Sequence, residues 1–278
     1  MQISENIHIL RHDFNVPVSK DKMLERFVYS AVIFTGKEII LIDSGVKGSH
    51  EKIFEFIHSS GRKTNEIKYL VLSHSHPDHT GSAAFIKNQT GCRILAHKKE
   101  KTWIENIEIQ NKIRPVPGFY SLVDSSVKID EFIEHGKTIY FDDDFSIKFF
   151  HTPGHSRGSV SVLIDKNIIF TGDCVPLEKD IPNYDNFNEL KNSLSFLKQL
   201  KNTDIMISSW SEPVSGSTEI ISFIEKGEKY LNEIDDKVKK FYHSGDCGME
   251  SCRKVISELK LPELFVMPMV HKAFLSHL

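Results

Sequence analysis

Cysteine is scarce in this chain of 278 residues: Cys92, Cys174, Cys247 and Cys252 are all it has. Four thiols over such a length make no disulfide framework and fit an ordinary reduced interior. Long apolar runs are lacking as well. No stretch approaches the ~20 apolar residues of a membrane span, and the opening Met1-Gln2-Ile3-Ser4-Glu5-Asn6 has no basic segment leading into an apolar one. A cytoplasmic protein with no membrane partner is therefore expected. An excess of charge is also missing, since 35 Lys and Arg against 38 Asp and Glu leave a net −3. With the basic residues dispersed along the chain, no nucleic-acid surface is expected, and a small-molecule substrate remains.

What the chain does have is the run His74-Ser75-His76-Pro77-Asp78-His79, directly after the apolar Tyr69-Leu70-Val71-Leu72. Imidazole and carboxylate bind zinc, iron or manganese near neutral pH. A tight turn at the end of a buried strand lets His74 and His76 face one ion while Asp78 and His79 reach a second. A solvated histidine-rich loop is the plainer alternative, but it leaves the preceding apolar strand without a reason. The other histidines discriminate less: His8, His12, His50, His58, His97 and His135 offer no ligand spacing, and His151 fits a partly buried structural role. Cys247 and Cys252, with His243 nearby, match no standard zinc pattern, and Cys174 reads as packing.

The run matches, position by position, the HxHxDH motif of the metallo-β-lactamase superfamily, and the chain resembles the glyoxalase II-like (hydroxyacylglutathione hydrolase-like) branch of that family in further fragments. Thr152-Pro153-Gly154-His155-Ser156 is similar to the family's third element, which implies His155 as the third imidazole of the first metal. Phe170-Thr171-Gly172-Asp173 is similar to the fourth, which implies that Asp173 bridges both ions. Leu41-Ile42-Asp43-Ser44-Gly45 is similar to the first, where Asp43 would be a carboxylate that orients a ligand histidine. The departure comes near the domain's end. In Asp204-Ile205-Met206-Ile207-Ser208-Ser209-Trp210-Ser211-Glu212-Pro213, Trp210 falls where the resemblance calls for the last histidine of the second metal. An indole cannot ligate a cation. Glu212, His243, His271 or His277 would have to replace it, so unequal sites are expected, the second weaker and more water-coordinated.

Patterning gives the frame. Ile7 to Leu10, Val28 to Phe34 and Ile39 to Ile42 read as strands, the last two joined through Thr35-Gly36-Lys37-Glu38. Ile53, Phe54, Phe56 and Ile57 mark an amphipathic helix ended by Ser60-Gly61, and Gly81 to Asn88 reads as a second helix. Ile94 to Ala96, Thr138 to Phe141, Phe145 to Phe150, Ser159 to Ile164 and Ile168 to Phe170 complete a strand-rich second half. The resemblance implies an α/β fold, an αββα sandwich of two mixed sheets flanked by helices. Residues 1–212 are the expected metal-binding domain. Residues 213–278 are the expected C-terminal helical extension, because Ile220, Ile224, Leu231, Ile234, Val238 and Phe241 recur at helical spacing, Val255 to Leu259 suggest another helix, and Pro268 interrupts a third apolar segment. Such helices pack on the domain or pair two copies as a homodimer. Two unpatterned stretches, 106–130 and 175–187, carry prolines and aromatics, and Phe119, Tyr120, Tyr184 and Phe187 are assigned from them to an apolar substrate pocket.

The chemistry follows from the ligands. A divalent cation lowers the pKa of bound water from about 15.7 toward roughly 7, so a hydroxide attacks without a serine or cysteine nucleophile, and Asp78 would ligate the second ion or orient that hydroxide. Hydrolysis of a small thioester, ester or lactone is the reading the resemblance favours, with zinc, iron or manganese as cofactor. Two alternatives keep the fold: a mononuclear non-haem iron oxygenase acting on a thiol persulfide, for which the resemblance implies His74, His155 and Asp173 as ligands, and a signalling or partner-binding protein whose metal site is mainly structural.

Overall fold

The β-branched runs become strands of two six-stranded mixed sheets, with helices alongside. A computed structural model describes residues 1–19, 22–141, 145–242 and 247–278. By contact density the chain divides into two units, residues 1–151 with 162–165 and residues 152–161 with 166–278.

In chain order, the first unit contains β1 (Ile7–Ser19), β2 (Lys22–Phe34), β3 (Ile39–Ile42), α1 (Ser49–Ser59), β4 (Ile67–Val71), α2 (Pro77–Thr80), α3 (Ala83–Thr90) and β5 (Arg93–His97). It continues through α4 (Lys101–Ile104), α5 (Ile107–Ile113), α6 (Phe119–Leu122), β6 (Glu131–Ile133), β7 (Thr138–Tyr140) and β8 (Ser146–His151). The first sheet runs β1-β2-β3-β4-β5-β6. Antiparallel pairing joins its first three strands, and parallel pairing the rest. All four residues of β3 are buried, as continuous apolar strands of parallel sheets require. Leu41, Leu70 and Ile94 of three neighbouring strands pack with Ile53 and Ile57 of α1 and Ile86 of α3. The parallel register has one consequence for chemistry: β3, β4 and β5 end side by side, so the residues that follow them share one sheet edge.

Two local expectations change. The first hairpin is longer than its apolar runs, pairing from Ile7↔Ile33 out to Pro17↔Met23. Its outer part carries exposed Arg11 and Asp13, and backbone hydrogen bonds, which leave no apolar signature, extend the ladder. The helix expected at Gly81 to Asn88 is α3, which starts at Ala83 and runs on to Thr90, while Gly81 stands just before it, where a Cβ would lie 2.3 Å from the carbonyl oxygen of Leu122 and 2.4 Å from the carbonyl carbon of Val46.

The second sheet runs β12-β11-β10-β9-β8-β7. Its remaining elements are β9 (Val160–Ile164), β10 (Ile168–Gly172), α7 (Phe187–Lys198), β11 (Ile205–Ser208), β12 (Val214–Ser215), α8 (Ser217–Phe241), α9 (Met249–Glu258) and α10 (Pro268–Leu275). The expected boundary at 212–213 does not coincide with the observed division, since α8, α9 and α10 belong to the unit that holds β10 to β12. The 25-residue α8 buries Ile220, Ile224, Leu231, Ile234 and Val238, the face read from the sequence. Pro268 does not kink a helix. It opens α10 at the first turn, where its missing N–H would have no partner in any case. No described helix is long and apolar enough to cross a membrane.

One buried histidine gives the first unit a pH dependence. His12 of β1 is only 4% exposed and its Nε2 meets Ser30 Oγ at 2.8 Å. Burial, helped by the Lys52 charge and opposed by Asp13, pushes its pKa down to about 4. The unfolded chain protonates the same ring near ~6.5. Stability from the neutral ring is therefore fully present above ~6.5 and is lost as pH falls toward about 4. His12→Gln, which keeps a polar group for Ser30, should make the loss of unfolding free energy between pH 7 and 4 shallower by roughly 2–3 kcal/mol. Urea denaturation at stepped pH measures it, and parallel curves for the two proteins would sink the idea.

Candidate metal centre

In the first unit the site is organised by Asp43. Its backbone lies in the left-handed region at φ 60°, its side chain is buried, and its N–H donates to Val71 O at 2.8 Å. Aspartate tolerates this conformation better than most residues. Because β3 and β4 end together, the carboxylate meets the chain leaving β4: Oδ1 accepts from Ser73 N–H at 2.7 Å, and Oδ2 accepts from the Ser73 hydroxyl at 2.7 Å. His79 Nδ1 also lies 2.8 Å from Oδ2.

These contacts fix protons. An ionised carboxylate only accepts, so His79 carries its proton on Nδ1 and its lone pair on Nε2. The Ser73 hydroxyl spends its hydrogen on Asp43 and can only accept from His74 Nδ1, 3.0 Å away. His74 therefore also keeps its lone pair on Nε2, which faces His76 Nδ1 at 3.0 Å. One carboxylate sets two tautomers, directly at His79 and through a serine at His74. Such support of a ligating imidazole is how metal sites orient their donors.

The residue between the histidines is clamped. Ser75 N–H donates to Glu100 Oε2 at 3.2 Å, and its carbonyl accepts from Gln110 Nε2 at 2.6 Å. Both clamping side chains are buried. Pro77 starts α2, and Asp78 Oδ2 lies 3.6 Å from His79 Nε2. The turn is closed by Ser44, whose N–H and hydroxyl both donate to His79 O, and by Gly81 N–H on Gly45 O. Ser73, Glu100 and Gln110 were not found by sequence reasoning. Only the hydroxyl just before His74 was a signal, whereas Glu100 and Gln110 come from distant, unpatterned segments.

The second unit holds His155 and Asp173, with His155 Nε2 3.3 Å from Asp173 Oδ2. The turn carrying His155 rests on the start of α7. Asp185 N–H donates to Gly154 O at 2.7 Å, Asn186 N–H to the same oxygen at 3.0 Å, and the Ser193 hydroxyl to Pro153 O at 2.7 Å. Asp173 follows β10, which is parallel to β11, and Ser209 N–H donates to Gly172 O at 3.1 Å, so Trp210 emerges at the same strand end. Cys174 is buried, and burial pushes its thiol up to about 12, so it stays protonated.

Two sets of side chains could hold a metal ion: His74, His76, His155 and Asp173, and Asp78, His79 and Asp173. Among the described residues, none of the suggested replacements for the missing histidine joins the second set. Glu212 is absent from it. His271 Nδ1 meets the Tyr242 hydroxyl at 2.9 Å, and His277 uses both ring nitrogens on Asp235 and Tyr184. His243 lies outside the described residues.

The four aromatics expected on a pocket wall sit as follows. Phe119 is buried with Ile107 and Val123. Tyr120 is half exposed and donates its hydroxyl to Glu108 at 2.6 Å. Tyr184 and Phe187 are buried against the His277 ring. An aromatic in a loop satisfies its apolar surface by anchoring that loop, and the sequence does not distinguish this from lining a pocket.

Comparison with known proteins agrees with this geometry. A sequence model of the metallo-beta-lactamase superfamily matches residues 23–209. A probable metallo-hydrolase of Methanocaldococcus jannaschii is 25% identical over 177 residues, which cover 62% of this chain and 81% of that protein. The hydroxyacylglutathione hydrolase GloC of Haemophilus influenzae is 28% identical over 139 residues, covering 49% of this chain and 61% of that protein. Among solved structures, a metallo-beta-lactamase family protein from Thermus thermophilus superposes with a TM-score of 0.75 at 15% identity, covering 100% of this chain and 93% of its own. The subclass B3 metallo-beta-lactamase BJP-1 of Bradyrhizobium japonicum gives 0.62 at 21% identity, covering 77% and 88%.

Gly154 is the residue of the His155 turn least open to change. Its φ is +126°, and a Cβ there would lie 2.2 Å from the backbone nitrogen of Leu190. Gly154→Ala is expected to cost at least ~2 kcal/mol of stability, read by urea denaturation. A loss below ~0.5 kcal/mol would mean that α7 can back away from the turn.

Proposed function

The chain belongs to the metallo-beta-lactamase superfamily and is a metallo-hydrolase, and from that membership we propose that it hydrolyses a small thioester, ester or lactone. The observation that carries the reading is the hydrogen-bond relay from Asp43, which gives His74 and His79 each a lone pair on Nε2. Imidazoles held in that tautomer, with carboxylates alongside, have the chemistry of a divalent-cation site for zinc, iron or manganese. His74, His76, His155 and Asp173 would hold the first ion, and Asp78, His79 and Asp173 a second. Such an ion supplies an activated water near neutral pH and polarises the attacked carbonyl. The chain's own part is to fix the donors and to place the Asp78 carboxylate where it can orient that water. The substrate class is supported by the likeness to a hydroxyacylglutathione hydrolase, which spans about half of this chain.

The reading is tested with purified, metal-loaded protein and a panel of thioesters, esters and lactones. His76→Ala should abolish turnover while Cys174→Ala, which alters a buried, protonated thiol, keeps it. Ser73→Ala should weaken metal binding by about 10- to 100-fold, with Ser73→Thr close to the parent. No turnover of any acyl substrate would overturn this substrate class, and oxygen consumption with a thiol persulfide by protein holding one iron would replace hydrolysis by the oxygenase reading.

The same ligand sets imply unequal affinities. The second has three protein side chains, one of them shared with the first, and Trp210 stands where a further histidine is expected. Metal titration with elemental analysis should give one tight and one weak equivalent, and Trp210→His should tighten the weak one. Two equally tight equivalents in the parent protein would overturn this.

A further inference from the structure

The turn that carries His155 is held through residues 184–187, and these are themselves held by α10 and the residues after it. Three contacts do this. The Tyr184 hydroxyl meets His277 Nε2 at 2.7 Å, Phe187 N–H donates to Ser276 Oγ at 3.1 Å, and Lys272 Nζ reaches Asp185 Oδ1 at 3.4 Å. On the other side of the same short segment, Asp185 N–H is shared between Gly154 O at 2.7 Å and His155 O at 3.2 Å. The segment therefore works as a link.

The His277 contact is directional. Asp235 accepts from His277 Nδ1 at 2.9 Å, which leaves Nε2 as the acceptor for the Tyr184 hydroxyl, and Lys239 Nζ fixes the other Asp235 oxygen at 2.6 Å. Phe187 stacks on the same imidazole at 4.1 Å. Apolar side chains of similar size would fill this space at lower desolvation cost. A carboxylate–imidazole–phenol chain adds a fixed position for the residue at its end, and that residue adjoins the amides on the His155 turn.

We propose that Asp235, His277 and Tyr184 are positioning residues for His155, so that the helical extension tunes the affinity of the first metal site without supplying a ligand to it. This rests on the reading of His155 as a ligand. Chelator competition with Zn²⁺, and the visible spectrum of the Co²⁺-substituted protein, provide the test. Tyr184→Phe and His277→Ala should each weaken the first metal about tenfold or more and alter the Co²⁺ bands. His277→Gln, whose amide oxygen can still accept from Tyr184, should recover most of the affinity. Ile224→Val, a core change in the same unit away from the brace, should lower the melting temperature and leave the metal affinity as it was. Parent-like affinity and Co²⁺ spectra in Tyr184→Phe and His277→Ala overturn the brace alone. Equal weakening by Ile224→Val overturns it too, by showing that general stability sets the affinity. A parent protein that binds no metal removes the brace together with the function it rests on.

Discussion

The buried carboxylate of Asp43 is the interaction on which the candidate metal ligands of the first unit depend. It accepts from a backbone amide, a hydroxyl and an imidazole within 2.8 Å. Each hydrogen bond to a charged acceptor contributes about 1.5–3 kcal/mol, and losing the acceptor would leave buried donors unsatisfied at ~1–3 kcal/mol apiece. The carboxylate reaches all three because β3 and β4 are parallel and end together, and because its own backbone turns at φ 60°. Register, an unfavourable dihedral and a charge are thus coupled. The local strain of ~1–3 kcal/mol is offset by bonds that no other placement of the carboxylate would make.

In the second unit the turn that carries His155 is held through its backbone. His155 sits beyond a glycine whose conformation and close approach to Leu190 exclude a side chain, and the surrounding carbonyls are met by amides at the start of α7. The helices supply the backing. Gly227 of α8 lets that helix approach Val175 and Pro176, just past Asp173, and the Tyr230 hydroxyl donates to Asp180 O at 3.0 Å. Both loops carrying candidate ligands in this unit therefore lean on α7, α8 or α10. That explains why the long helices share a unit with β10 to β12 rather than forming one of their own.

Much of this was legible in the sequence, and what was not has physical reasons. The fragments that carry the candidate ligands could be read because each is a short polar motif closing an apolar strand, and the face of α8 because five of its buried residues recur at helical spacing. The outer part of the β1–β2 hairpin carries mostly polar residues and was missed. Pro268 was read as interrupting an apolar segment, and it does so by beginning α10, since the fixed φ that breaks a helix interior also suits a first turn. For Tyr184 and Phe187 the sequence shows that an aromatic lies in a loop, not which way it faces. Glu100 and Gln110 carried no signal at all, since a buried side chain that caps a distant peptide group has no local pattern.

That last pair bears on why the spacing of His74 and His76 works. In extended backbone, alternate side chains point to the same face, so two histidines separated by one residue turn the same way, but the peptide groups between them still need partners. Here they cannot pair as a strand, because β4 has already ended at Val71. A peptide group buried without a partner would cost about as much as the ligand geometry could return. Glu100 and Gln110 remove that cost by taking the N–H and the carbonyl of Ser75. The motif is therefore not self-sufficient. Two buried polar side chains from outside it let a run of candidate metal ligands leave the sheet and remain ordered.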